Sequence, residues 1–142
     1  MLRKAFRAVA VSWALTLWLV PLTVSRPSAA TFGVGYPFAL LMYGVGSLVC
    51  HQRPERSFIL FGARLPVCAR CTGIYVGAAI ASIALWRMKT PSRTALLLSA
   101  LPMFATLVFE WTTGEAPGNM VRAATGVPLG ATVAWIVCRK VN

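Results

Sequence analysis

The chain has 142 residues, 58% of them apolar and only 12% charged, with 14 Lys and Arg against 3 acids for a formal charge of +11. That balance is too hydrophobic for a soluble domain of this size and leaves room for one compact membrane domain spanning 1–142. The basic residues come as short clusters at the ends of apolar runs, which suits topology and anionic lipid and excludes a nucleic-acid face.

Arg3, Lys4 and Arg7 precede the apolar run 8–24, which predicts a first transmembrane helix bent near Pro21. Ser28-Ala29-Ala30 offers a signal-peptidase site, yet Trp13 and Trp18 inside the run favour a retained anchor. A second helix is predicted over 31–49, loosened by Gly33, Gly35 and Pro37 near its start. It delivers Cys50 and His51 to a membrane boundary.

Residues 50–68 then form a loop whose apolar patch, Phe58 to Phe61, is too short to cross a bilayer, so an interfacial or re-entrant loop is expected. Pro66 precedes a third helix at 69–88, with Cys68 and Cys71 in or beside its first turn, where the helix dipole favours thiolate. Arg87, Lys89 and Arg93 make a basic turn. A fourth helix follows at 94–112 with Pro102 as a kink, and a fifth at 120–137. The expected fold is thus all-α: an integral membrane helical bundle of about five transmembrane helices. Gly73, Gly77 and Ala81 in helix three and Gly126, Gly130 and Ala134 in helix five put a small residue at every fourth position, which allows close packing of the two.

Three of the four cysteines and the only histidine lie in Cys50 to Cys71. Cys50, His51, Cys68 and Cys71 come as two close-set pairs, which is metal-ligand spacing, and three thiols with one imidazole complete the tetrahedral set that Zn²⁺ prefers. Copper(I) also takes soft thiolates. The rival reading is a membrane thiol-disulfide oxidoreductase in which Cys68 and Cys71 cycle, with quinone as a partner and no metal, and Arg70 between them would lower the thiol pKa. A subunit of a small transporter or channel, working as a homo-oligomer, is a further alternative. No nucleotide loop, dinucleotide fingerprint or hydrolytic triad occurs, so whether the chain is an enzyme stays open.

Counting crossings brings the turn with Glu110, Glu115, Asn119 and Arg122 to the motif's own boundary and Cys138 to the opposite one. Glu110 at a helix end is a site candidate or an ion-pair clamp with Arg122. Arg56, Arg70, Tyr75 and Asn119 are the remaining residues expected to support the cluster. Charge leaves the motif face undecided, because the first basic cluster and the later ones conflict if helices one and two both cross, with the extracytoplasmic side slightly favoured.

The run C-H-Q-R-P-E-R-S-F from Cys50, with P-V-C-A-R-C-T-G-I-Y-V-G from Pro66, resembles a family of small prokaryotic integral membrane proteins that carries no assigned activity. A second block, Glu110 followed by N-x-x-R-x-x-T-G-x-x-x-G from Asn119 to Gly130, resembles that family's downstream pattern. Glu110-Trp111 stands where the family carries Asp followed by Gly. The resemblance implies a membrane fold and supplies no chemistry.

Overall fold

The computed structural model describes residues 1–25, 35–84 and 91–140. Its elements are α1 (Leu2–Ser25), α2 (Tyr36–Val49), a 3₁₀ turn at Pro54–Arg56, β1 (Ile59–Leu60), β2 (Ala63–Arg64), α3 (Ala69–Ala84), α4 (Arg93–Thr113) and α5 (Asn119–Lys140). Five helices carry the chain, as their apolar runs require. The cleavage sequence Ser28-Ala29-Ala30, Gly33, and the basic residues Arg87 and Lys89 fall outside the described residues.

The described helices differ in length. A bilayer core of ~30 Å needs about 20 helical residues. Among the described residues, α1, α4 and α5 are long and apolar enough to cross. The described part of α2 has 14 residues, ~21 Å, and the described part of α3 has 16. Pro37 sits in the first turn of the described α2, where its missing N–H is harmless. Ser92 caps α4 by accepting from the Ala95 N–H at 3.1 Å, and Gly114 ends it in the left-handed region, its N–H returning to the Glu110 carbonyl.

The chain divides into two compact units, Met1–Ala14 with Arg70–Asn142, and Leu15–Ala69. The first is held by α3 against α5. A Cβ on Gly73 would overlap the Ala123 carbonyl, one on Gly77 that of Val127, and one on Gly130 that of Ile74. The two backbones touch along this seam, with Ala81 and Ala134 buried on the same faces. Much of α4 presents large apolar side chains outward, including Leu97, Phe104 and Trp111, as a lipid-facing helix should.

In the second unit, α2 is followed by the motif loop, which is more ordered than an apolar interfacial segment. Ile59 pairs with Arg64 and Leu60 with Ala63 in an antiparallel hairpin. Its two turn residues, Phe61 and Gly62, both have positive φ, the conformation that matches the twist of a two-residue hairpin. Gly62 adopts it without strain. Phe58 stacks on Trp18 of α1 with ring centroids 6.4 Å apart, which fixes the apolar side of the hairpin.

Candidate metal centre

The sulfur cluster begins with the way α2 ends. Cys50 leaves the helix in an extended conformation while its N–H still bonds to the Gly46 carbonyl at 2.9 Å. Two residues on, Gln52 has a φ of 42°, which turns the chain back. Its side-chain amide donates to the Tyr43 carbonyl at 2.8 Å and to the Pro66 carbonyl at 2.6 Å. Gly46 makes this possible, since a Cβ there would overlap the same Pro66 carbonyl. The Tyr43 hydroxyl donates to the Arg64 carbonyl, and the Leu65 N–H to that of Phe58. Each link returns the far end of the loop to the end of α2, with Leu65 and Val67 buried beneath.

The consequence is that the Cys68 N–H donates to the Cys50 sulfur at 3.2 Å, and both thiols are buried. Cys71 lies in the first turn of α3, which follows Cys68 directly, so helix geometry alone brings it alongside. The three sulfurs lie within 4.8 Å of one another. Sulfurs around one zinc at ~2.3 Å sit roughly 3.8 Å apart in a tetrahedron, so the set needs to close by no more than about 1 Å. The Cys68 N–H aimed at the Cys50 sulfur is a donor that a metal-bound sulfur can also use. The donor set therefore fits a soft metal ion.

His51 differs from expectation. It is exposed, and its imidazole lies outside the group of sulfurs. The reason is local: successive side chains of an extended segment point to opposite sides, so burying Cys50 turns its neighbour outward. Arg56 is held beside the loop by Glu55 at 3.9 Å, a short-range pair of little energetic weight.

Arg70, inside the C-A-R-C knuckle, donates to Glu110 at 3.0 Å, and Arg122 pairs with the other oxygen of the same carboxylate at 3.2 Å. Glu110 and Arg122 are buried and Arg70 nearly so. The starts of α3 and α5 and the end of α4 are thus tied by one charged triad. It also means that the Arg70 guanidinium is held toward Glu110, which it shares with Arg122. Tyr75 packs edge to face on Trp13, centroids 5.8 Å apart, and Asn119 opens α5. Gln52 and Gly46 escape sequence reasoning, although Gln52 stands between His51 and Arg53 in the motif; the signal was its place in the motif, and its role depends on a backbone turn that residue type does not announce.

A model of the predicted membrane proteins DUF2085 matches residues 50–136, from Cys50 through the hairpin and into α5. Similar chains include an uncharacterized protein of Methanocaldococcus jannaschii, 34% identical over 105 residues, covering 70% of this chain and 67% of that one. Another is an uncharacterized protein of Methanothermobacter thermautotrophicus, 34% identical over 90 residues, covering 61% of this chain and 81% of that one. No solved structure matches the chain.

Proposed function

The chain belongs to DUF2085, a family of predicted membrane proteins, and from that premise we propose that Cys50, Cys68 and Cys71 bind one soft transition-metal ion, with zinc the best fit. The observation that carries the reading is the approach of three sulfurs to within 4.8 Å, with Cys50 and Cys68 buried and the Cys68 backbone N–H donating to the Cys50 sulfur. His51 completes the set by turning its exposed ring inward on binding. The ion then staples the two ends of the motif loop, a structural role in a four-coordinate site. Elemental analysis of the protein purified in mild detergent should give about one equivalent of zinc, and the three thiols should resist alkylation until chelator is added. Each Cys→Ser change should remove the metal. Retention of full metal content in His51→Ala would assign the fourth position elsewhere. A metal-free protein whose Cys68 and Cys71 cycle between dithiol and disulfide with quinone would replace the metal reading by the oxidoreductase one.

The site belongs, in this proposal, to the extracytoplasmic face. Arg3 and Arg7 act electrostatically on the Cys138 thiol near the end of α5, so the start of α1 and the end of α5 share one end of their unit. Arg93 begins α4 and Arg139 and Lys140 end α5, whereas Arg70, Glu110 and Arg122 mark the other end. In this proposal α2 does not complete a crossing, which removes the conflict between the basic clusters, and the positive-inside rule then assigns the terminal cluster to the cytoplasm. A carboxy-terminal phosphatase fusion should be inactive and a fluorescent-protein fusion bright; the reverse pair of results would invert the assignment.

A further inference from the structure

The hairpin of the motif loop turns apolar side chains outward. Ile59 is 67% exposed and Phe61 60%, and Leu48 and Val49, the last two residues of α2, are exposed as well. Phe61 takes its turn position at a φ of 54°, a conformation that costs a bulky residue and that asparagine or glycine adopts far more readily. Packing inside the chain does not offset that cost, because most of the residue is uncovered. An exposed aromatic ring held in an unfavourable backbone conformation points to a contact outside the chain.

The same hairpin is fixed in height against a helix long and apolar enough to cross a membrane. Phe58, directly before β1, stacks on Trp18 of α1, and Trp18 is itself 39% exposed. Along the 24 residues of α1, ~36 Å, Trp18 stands past the midpoint and seven residues, ~10 Å, short of Ser25. With a hydrocarbon core of ~30 Å, a crossing α1 puts that level in the leaflet on the Ser25 side. The hairpin starts from there with only two residues in each strand, ~7 Å, so its tip does not clear the end of α1 in either direction. Arg53 and Arg64 are exposed on the same loop, Arg64 within β2, and such side chains lay an apolar stem along the hydrocarbon while the guanidinium reaches the headgroup layer.

We propose that the motif hairpin is inserted into the leaflet on the Ser25 side, with Ile59 and Phe61 among phospholipid acyl chains and Arg53 and Arg64 extended to the lipid phosphates. A soluble partner fits less well, since it would have to enter the leaflet beside α1 to reach the tip. The proposal does not depend on whether Cys50, Cys68 and Cys71 hold a metal.

Fluorine NMR of the whole protein in nanodiscs of phosphatidylcholine and phosphatidylglycerol tests it, with trifluoromethylphenylalanine in place of Phe61 so that every cysteine is kept. A nitroxide carried high on the lipid acyl chain should erase the position-61 signal, and a water-soluble nickel chelate should leave it. The same label in place of Glu115, exposed in the turn after α4, should respond in the opposite order. Ile59→Asn combined with Phe61→Asn keeps the turn, because asparagine accepts positive φ, and removes the apolar tip; hydrogen exchange at the hairpin amides should then accelerate about tenfold or more. A position-61 signal lost to the chelate and kept with the acyl nitroxide would overturn the proposal. So would unchanged exchange in the double variant, or a dimer in native mass spectrometry that the double variant dissociates, which would give the tip to a second copy.

Discussion

Two polar clusters interrupt this hydrophobic chain, and they are assembled in opposite ways. The sulfurs of Cys50, Cys68 and Cys71 come from one stretch of sequence and are brought together by a hairpin, a turned-back Gln52 and a ring of backbone hydrogen bonds. The charges of Arg70, Glu110 and Arg122 come from three helices and meet only because those helices pack. The first cluster is locally built, and as thiolates it would hold negative charge that a cation must answer. The second is globally built, with one carboxylate shared by two guanidinium groups. The first set gathers soft donors, the chemistry on which the metal proposal rests; the second is an ion-paired set that ties helices together.

The largest expected effect separates the two outright. Changing Cys50, Cys68 and Cys71 together to serine should take bound zinc from about one equivalent to none and expose the motif loop to protease, while α3, α4 and α5 keep their packing. Loss of helical structure on a par with metal loss would make the cluster global after all.

Glu110→Gln is the converse change. It leaves Arg70 and Arg122 next to each other without a carboxylate, which should cost about 3–5 kcal/mol in a detergent unfolding titration, with zinc retained. If the metal leaves with the charge, the clusters are energetically one site.

Gly130→Leu attacks the seam on which the triad depends. The new side chain meets the Ile74 carbonyl, a rigid neighbour, so a loss of about 3 kcal/mol is expected at the upper end of the overpacking range. A neutral result would mean that α3 and α5 are not in direct contact.

Gln52→Ala gives the smallest effect and sharpens the local half of the comparison. Two hydrogen bonds that close the loop are lost, for about 1–3 kcal/mol, and zinc affinity should fall without vanishing, as competition with a chelator would measure. Unaltered affinity would show that the cysteines alone shape the site.

How much of this was legible beforehand depended on the distance over which each feature is decided. The seam was readable, because small residues four apart share a helix face whatever else happens, and Gly73, Gly77, Gly126 and Gly130 lie there. The convergence of Glu110 and Arg122 on the motif was readable from helix parity, though not that Arg70 would be the motif residue they reach. The hairpin was less visible, since Ile59 to Arg64 has no long alternation and its turn starts with Phe61, a residue that seldom takes positive φ. His51 carries a similar lesson: adjacency to Cys50 in sequence suggests joint ligation, while the extended backbone at Cys50 leaves its ring exposed.

By itself, then, the sequence determined a helical membrane protein with three thiols and an imidazole concentrated in one short stretch, because apolar run length and donor type are properties of residues and their order. Tertiary structure alone decided that the three sulfurs approach one another while His51 faces out, and that Arg70 and Arg122 share the carboxylate of Glu110. Those outcomes turn on single backbone dihedrals at Cys50 and Gln52 and on which helix faces meet, and neither is carried by composition or spacing.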